Sequence, residues 1–136
     1  MGCPRVLLAD GHEKMLDVIS HLLEEDFDVV ATVRDGESVI DAVARLDPDL
    51  VVLDIFLPIL NGFQIAARLK ESNSRTKVVM LTIDDDPYYV EAAFSAGVLG
   101  YVLKSRIAID LIPANREVLQ GRTFVSPSLG KAQEGQ

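Results

Sequence analysis

The sequence predicts an α/β fold, a doubly wound parallel sheet built from five βα units. Three observations point there. Short aliphatic runs recur along the chain, too uniformly apolar for one wet and one dry face, as strands buried on both faces are. Longer segments between them carry apolar residues at helical spacing. Acids, Asn, Gly and Pro stand at the boundaries, where helices start and stop. At 136 residues and 49% hydrophobic content, the chain fits one domain with a core of its own.

The elements follow in order. "RVLLAD" (5–10) is an apolar run ending in an acid. Leu16, Ile19, Leu22 and Leu23 form a helical stripe over 15–23. "FDVVATV" (27–33) is a β-branched strand that Asp35 and Gly36 break. Val39, Val43 and Leu46 mark a second helix, stopped by Pro48. "LVVLD" (50–54) is the third strand, and Asn61 caps a helix with Ile65, Ala66 and Leu69 on its inner face. "KVVMLT" (77–82) is the fourth strand. Asp84, Asp85 and Asp86, then Pro87, begin a helix that turns Val90, Ala93 and Phe94 inward and ends at Gly97. "GYVLK" (100–104) is the fifth strand. The last helix is expected from near Asp110, which puts Pro113 in its first turn, to Gly121. The remaining "RTFVSPSLGKAQEGQ" (122–136) is small and polar and reads as a tail or linker beyond a 1–121 domain. Right-handed crossovers then favour a flavodoxin-like sheet with strand order 2-1-3-4-5.

Composition excludes several partners. The formal net charge is −8 and no Lys/Arg cluster is present, so this chain lacks the basic face that phosphate backbones or anionic membrane surfaces require. Cys3 is the sole cysteine, which forbids an intrachain disulfide and fits a reducing setting. No apolar run approaches a membrane span and no signal-peptide core is present. A soluble cytoplasmic protein is expected.

In doubly wound sheets the ligand sits at the carboxyl ends of the strands where the order reverses. Strands 1, 3, 4 and 5 deliver Asp10, Asp54, Thr82 and Lys104 there. Singly, each has an ordinary explanation: a cap, a turn former, a solvated lysine. Together they make a reactive set. Two acids invite a hard divalent cation, magnesium first. A carboxylate can form an aspartyl phosphate, and phosphoryl transfer asks mainly for positioning and charge neutralisation. Lys104 and the Thr82 hydroxyl supply both, while no residue is placed as a general base for water. His12 and His21 lack ligand-spaced partners and read as ordinary.

"VLLAD" followed by His12, "VVLDIFLPILNG", "VVMLT" and "GYVLKS" resemble, in order and spacing, the receiver domain of bacterial two-component response regulators, over about residues 5–121. The resemblance implies that Asp54 accepts a phosphoryl group from a histidine kinase. It implies that Lys104 contacts the phosphoryl oxygens, that Thr82 and Tyr101 are the switch pair, and that Pro58 and Gly62 shape the acceptor loop. It further implies a magnesium ion on Asp10, Asp54 and the Phe56 carbonyl, a cis peptide after Lys104, and an output face on the fourth helix, fifth strand and fifth helix. A homodimer through the first and fifth helices is also implied. "REVLQGRTFVSPSLG" (116–130) is similar to receivers that precede a LuxR-type helix-turn-helix domain, so the chain reads as cut before a DNA-binding output domain.

Departures from that pattern matter. Gly11 stands where the family carries a second acid, so weaker magnesium binding is expected, with Glu13 as a partial substitute. Ile83 is expected to crowd the phosphoryl site, and Asn115 to face a partner from a usually apolar position. Gly11 also supports an alternative: a degenerate receiver that acts as an interaction module without phosphorylation. An enzyme is not expected, because a phosphatase of the haloacid dehalogenase kind wants an acid where Phe56 stands. An FMN-binding flavodoxin lacks support for want of a phosphate-cradling loop after strand 1.

Overall fold

The computed structural model describes residues 2–83 and 86–127. Strands β1 (Arg5–Ala9), β2 (Asp28–Val33), β3 (Leu50–Asp54), β4 (Lys77–Thr82) and β5 (Gly100–Leu103) alternate with helices α1 (Glu13–Leu23), α2 (Gly36–Leu46), α3 (Gly62–Glu71), α4 (Pro87–Ser95) and α5 (Ile107–Leu119). A 3-10 turn, Lys104–Arg106, joins β5 to α5, and a two-residue strand β6 (Phe124–Val125) follows. All strand pairs are parallel, in the order β2-β1-β3-β4-β5-β6. The flavodoxin-like order expected from sequence is present, with a sixth strand added at the β5 edge.

Side-chain alternation along the strands divides the core in two. Leu7, Ala9, Val51, Leu53, Val78 and Met80 face α2, α3 and α4. Val6, Leu8, Leu50, Val52, Val79 and Leu81 face α1 and α5. Both faces are dry, which is why these strands read as continuous apolar runs. Each fully buried aliphatic side chain contributes about 1.5–3 kcal/mol relative to exposure.

Local chemistry sets most boundaries as expected. The Asn61 side chain accepts from the Gln64 amide while the Gln64 side chain accepts from the Asn61 amide, both at 2.9 Å, a reciprocal cap on α3. Asp35 caps α2 through the Ser38 amide at 2.8 Å. Asp86 caps α4 through the Tyr88 amide, with Pro87 first in the helix. The expectation for Asp84 and Asp85 lies outside the described residues. Gly97 ends α4 with φ 92° and Gly121 follows α5 with φ 82°, both in the left-handed region that suits glycine.

Three expectations are corrected, and a fourth, Phe94 turned inward, holds with that side chain packed only partly buried against the core. α5 begins at Ile107, so Pro113 lies inside the helix. Its missing N–H orphans the Ile109 carbonyl, but both residues are exposed, so water can serve it, while Ile107, Leu111, Ala114 and Val118 bind the helix to the sheet. The peptide after Lys104 is trans, as are all those described. The next residue is serine, and a non-proline cis bond costs about 2.5–4 kcal/mol. Asn115 faces no partner surface: it is fully buried, flanked on α5 by Ile112 and Leu119, which pack on the α1 side of the core.

The polar stretch after α5 starts as ordered structure. The Phe124 amide donates to the Leu99 carbonyl, and the Ser126 amide to the Tyr101 carbonyl, each at 3.0 Å. The Leu103 amide donates to the buried Ser126 hydroxyl at 3.0 Å. This short strand satisfies the free edge of β5, and Phe124 and Val125 pack partly buried against opposite sides of the core.

Candidate functional site

The crossover between β1 and β3 brings the carboxyl ends of β1, β3, β4 and β5 together, because β1 pairs with β3, β3 with β4 and β4 with β5. The Lys104 ammonium lies 2.7 Å from Asp10 Oδ2 and 3.3 Å from Asp54 Oδ2. Asp10 is 0% exposed and Asp54 8%, so each carboxylate needs this cation to be held in the protein. Thr82 and Tyr101 are both fully buried.

The remaining carboxylate oxygens are also engaged. The His12 amide donates to Asp10 Oδ1 at 2.8 Å, and the His12 ring Nδ1 lies 3.3 Å from the same oxygen. His12 therefore belongs to the site through its backbone, a role its side-chain spacing does not signal. The Phe56 amide donates to Asp54 Oδ1 at 3.2 Å. That leaves Asp54 the more open of the two acids, 8% exposed against 0% for Asp10, and oriented by an amide and a lysine.

The loop after Asp54 is tightly fixed. Gly62 donates to the Ile55 carbonyl at 2.7 Å, and Gly36, at the start of α2, donates to the Pro58 carbonyl at 3.0 Å. A Cβ on Gly36 would meet the Leu60 carbonyl oxygen at 2.2 Å, so only glycine fits there. Leu60 donates to the Pro58 carbonyl at 2.8 Å, closing a tight turn around Ile59, whose φ of 73° is strained for a β-branched residue. Phe56 packs its ring edge-on to Tyr89, which also stacks on Phe63.

Other sequence-predicted residues fall differently. Ile83 is 81% exposed. It stands on a bend one residue past the end of β4, whereas Thr82 is fully buried. Glu13 is exposed on the first turn of α1 and stands apart from the Lys104 ion pairs. Sequence reasoning passed over Arg34, which follows β2. It donates to the Gly11 carbonyl from Nη2 at 2.8 Å and from Nε at 3.3 Å. A groove of about 740 Å³ between α2 and α3 is lined by Asp47, Ser72 and Ser74 near the other ends of those helices.

Magnesium asks for near-octahedral oxygen ligation, commonly one or two carboxylates completed by water and phosphate oxygens. Two carboxylates converge here, but Asp10 already accepts from His12 and Lys104. Position 11 offers no side chain, and its carbonyl is held by Arg34. Among the described residues no group of three or more His, Cys, Asp or Glu could hold a metal ion. The donor set fits magnesium poorly as arranged.

A doubly wound sheet with a lysine-clamped pair of aspartates at its switch point is the arrangement of a receiver-type module. The comparisons with known proteins agree: the response regulator receiver domain model matches residues 6–114, and the chain belongs to that family. It is 34% identical over 127 residues to the transcriptional regulatory protein YvfU of Bacillus subtilis, covering 92% of this chain and 64% of that one. It is 32% identical to the transcriptional regulatory protein DegU of Brevibacillus brevis, covering 92% and 54%. The chain thus spans between about half and two thirds of these relatives' length. Among solved structures, a LuxR-family two-component response regulator from Aurantimonas superposes with a TM-score of 0.91 at 27% identity, covering 98% of both chains. The receiver domain of the response regulator NarL from Mycobacterium tuberculosis gives 0.86 at 25% identity, covering 90% of this chain and all of that one. Among the described residues no helix is long and apolar enough to cross a membrane.

Proposed function

We propose that this chain is a phosphorylation-switched receiver that accepts a phosphoryl group on Asp54 from a histidine kinase and, within a longer protein, regulates transcription. The observation that carries this reading is the Lys104 ammonium set between Asp10 and Asp54 at the strand ends. In the transfer an Asp54 oxygen forms a bond to phosphorus, the P–N bond of phosphohistidine breaks, and the imidazole leaves with the electron pair and takes up a proton. Lys104 neutralises the developing charge on the equatorial oxygens, and the Thr82 hydroxyl donates to one of them. Thr82 and Tyr101 then form the switch: a shift of Thr82 toward the phosphoryl group repacks Tyr101 and alters the surface of α4, β5 and α5. A dimer through α1 and α5 follows the family's habit.

Receiver domains as a class bind Mg2+ for phosphorylation. Here Asp10, Asp54 and the Phe56 carbonyl remain as oxygens for it, and Gly11 lowers the affinity. The same glycine favours a second reading, a receiver that keeps the fold and signals by protein contact alone. One experiment separates them. Incubation with acetyl phosphate, with intact-mass readout, is expected to add one phosphoryl group to the wild type and none to Asp54→Asn. A wild type that stays unmodified with acetyl phosphate, and equally with histidine kinases, leaves the interaction module as the better description.

A further inference from the structure

We propose that Arg34 supplies the positive charge that a metal site at position 11 would otherwise bring, so that Asp54 accepts a phosphoryl group with little dependence on magnesium. The inference rests on the acceptor reading above. Three observations lead to it. Gly11 removes a carboxylate next to Asp10, on a side of the backbone where a Cβ would meet only Pro58 Cδ, at 3.9 Å, so the vacancy is chemical and not steric. Arg34 is fixed at that residue by a two-pronged contact with the Gly11 carbonyl. Its charge is also uncommitted. Among the described residues Arg34 makes no ion pair, and the adjacent Asp35 carboxylate is occupied by the amide and hydroxyl of Ser38, at 2.8 and 3.0 Å.

Charge counting makes the substitution coherent. A carboxylate at position 11 together with a divalent cation adds one net positive charge to the corner. A single guanidinium adds the same. When acetyl phosphate is the donor, an Asp54 oxygen bonds to phosphorus, the bond between phosphorus and the acetate oxygen breaks, and acetate departs with the electrons. The corner then holds a phosphoryl dianion beside the Asp10 carboxylate. Lys104 meets one side of that charge. Arg34 can exchange its bond to a neutral carbonyl for one to a phosphoryl oxygen, in which both partners are charged. A planar guanidinium matches two such oxygens at once.

The test compares the wild type with Arg34→Gln, Arg34→Lys and Gly11→Asp, by acetyl phosphate labelling in EDTA and in magnesium and by NMR titration of magnesium alone. Gln keeps a donor for the Gly11 carbonyl but removes the charge; Lys keeps the charge. In EDTA the wild type is expected to label within about threefold of its rate in magnesium, Arg34→Gln about tenfold more slowly than wild type, and Arg34→Lys in between. Gly11→Asp is expected to bind magnesium at least about tenfold more tightly than wild type. A wild type that labels only with magnesium, or an Arg34→Gln rate equal to wild type in EDTA, overturns the role of Arg34 and leaves the acceptor reading standing. Equal magnesium affinity of wild type and Gly11→Asp overturns its premise. Absence of Asp54-dependent labelling under every condition overturns both readings together.

Discussion

Two of the places where this molecule buries a polar side chain completely are built in opposite ways. At the acceptor corner Asp10 shares its oxygens among Lys104 and the His12 amide and ring. On α5, Asn115 is equally buried, yet among the described residues neither its side-chain oxygen nor its nitrogen has a hydrogen-bond partner. The corner is a convergence of four strand ends and sits where the sheet opens to solvent at Asp54. Asn115 is one residue on one helix, enclosed by aliphatic neighbours. Burial of a polar group alone therefore does not mark a site. What marks it is partners brought from distant parts of the chain, and here Lys104 reaches Asp10 across 94 positions of sequence.

The largest expected effects lie at the corner. Lys104→Ala leaves two adjacent carboxylates without the cation that pairs them and should destabilise the fold by about 3 kcal/mol, read by urea unfolding. It should also abolish labelling of Asp54. A stability equal to wild type would mean that the corner is no better wired than Asn115. Gly36→Ala drives a methyl into the Leu60 carbonyl, and about 3 kcal/mol of destabilisation is expected on the same assay, since the acceptor loop has no slack at that contact.

The opposite sign is expected on α5. Asn115→Leu replaces an unpartnered amide by an apolar side chain of similar branching, and stability should rise by about 1–2 kcal/mol. A loss of similar size would show that the amide has a role the acceptor corner does not share. The smallest effect concerns an exposed pair. Arg122 donates to Glu117 at 2.8 and 3.0 Å, and that hydrogen bond, with a smaller coulombic contribution, holds the Glu117 carboxyl below its ordinary value of 4.5. Because the folded pKa is depressed, its stabilisation is complete above the unfolded value and is lost as pH falls through the folded one. Arg122→Gln should thus be slightly less stable than wild type at neutral pH and indistinguishable from it in strong acid. A difference that persists in acid would assign the effect to packing.

The amino-acid sequence by itself determined what depends on neighbours along the chain. The capping residues Asp35, Asn61 and Asp86 acted where they stood, because a cap reaches only two or three residues ahead. The aliphatic runs determined the strands, and the requirement to cover both faces of such strands determined the layers and the order β2-β1-β3-β4-β5. From that order the meeting of Asp10, Asp54 and Lys104 was legible before any coordinate, with Thr82 at the end of the neighbouring strand β4. The family pattern marked Asn115 as unusual at an apolar position, but only the packing of α5 on the sheet shows that it is buried and not turned to a partner. Pro113 misplaced the start of α5 because tertiary packing outweighed one lost backbone bond.

Only the tertiary structure decided the rest. Phe124 and Val125 became a strand because the edge of β5 offered unpaired backbone groups, an opportunity invisible in a polar segment read alone. Arg34 joined the site because the loop after β2 lies beside the loop after β1. A bond from a guanidinium to a backbone carbonyl leaves no pattern in the letters, since every residue carries a carbonyl. Side-chain identity fixes which charges exist, but only the path of the folded backbone fixes which of them meet.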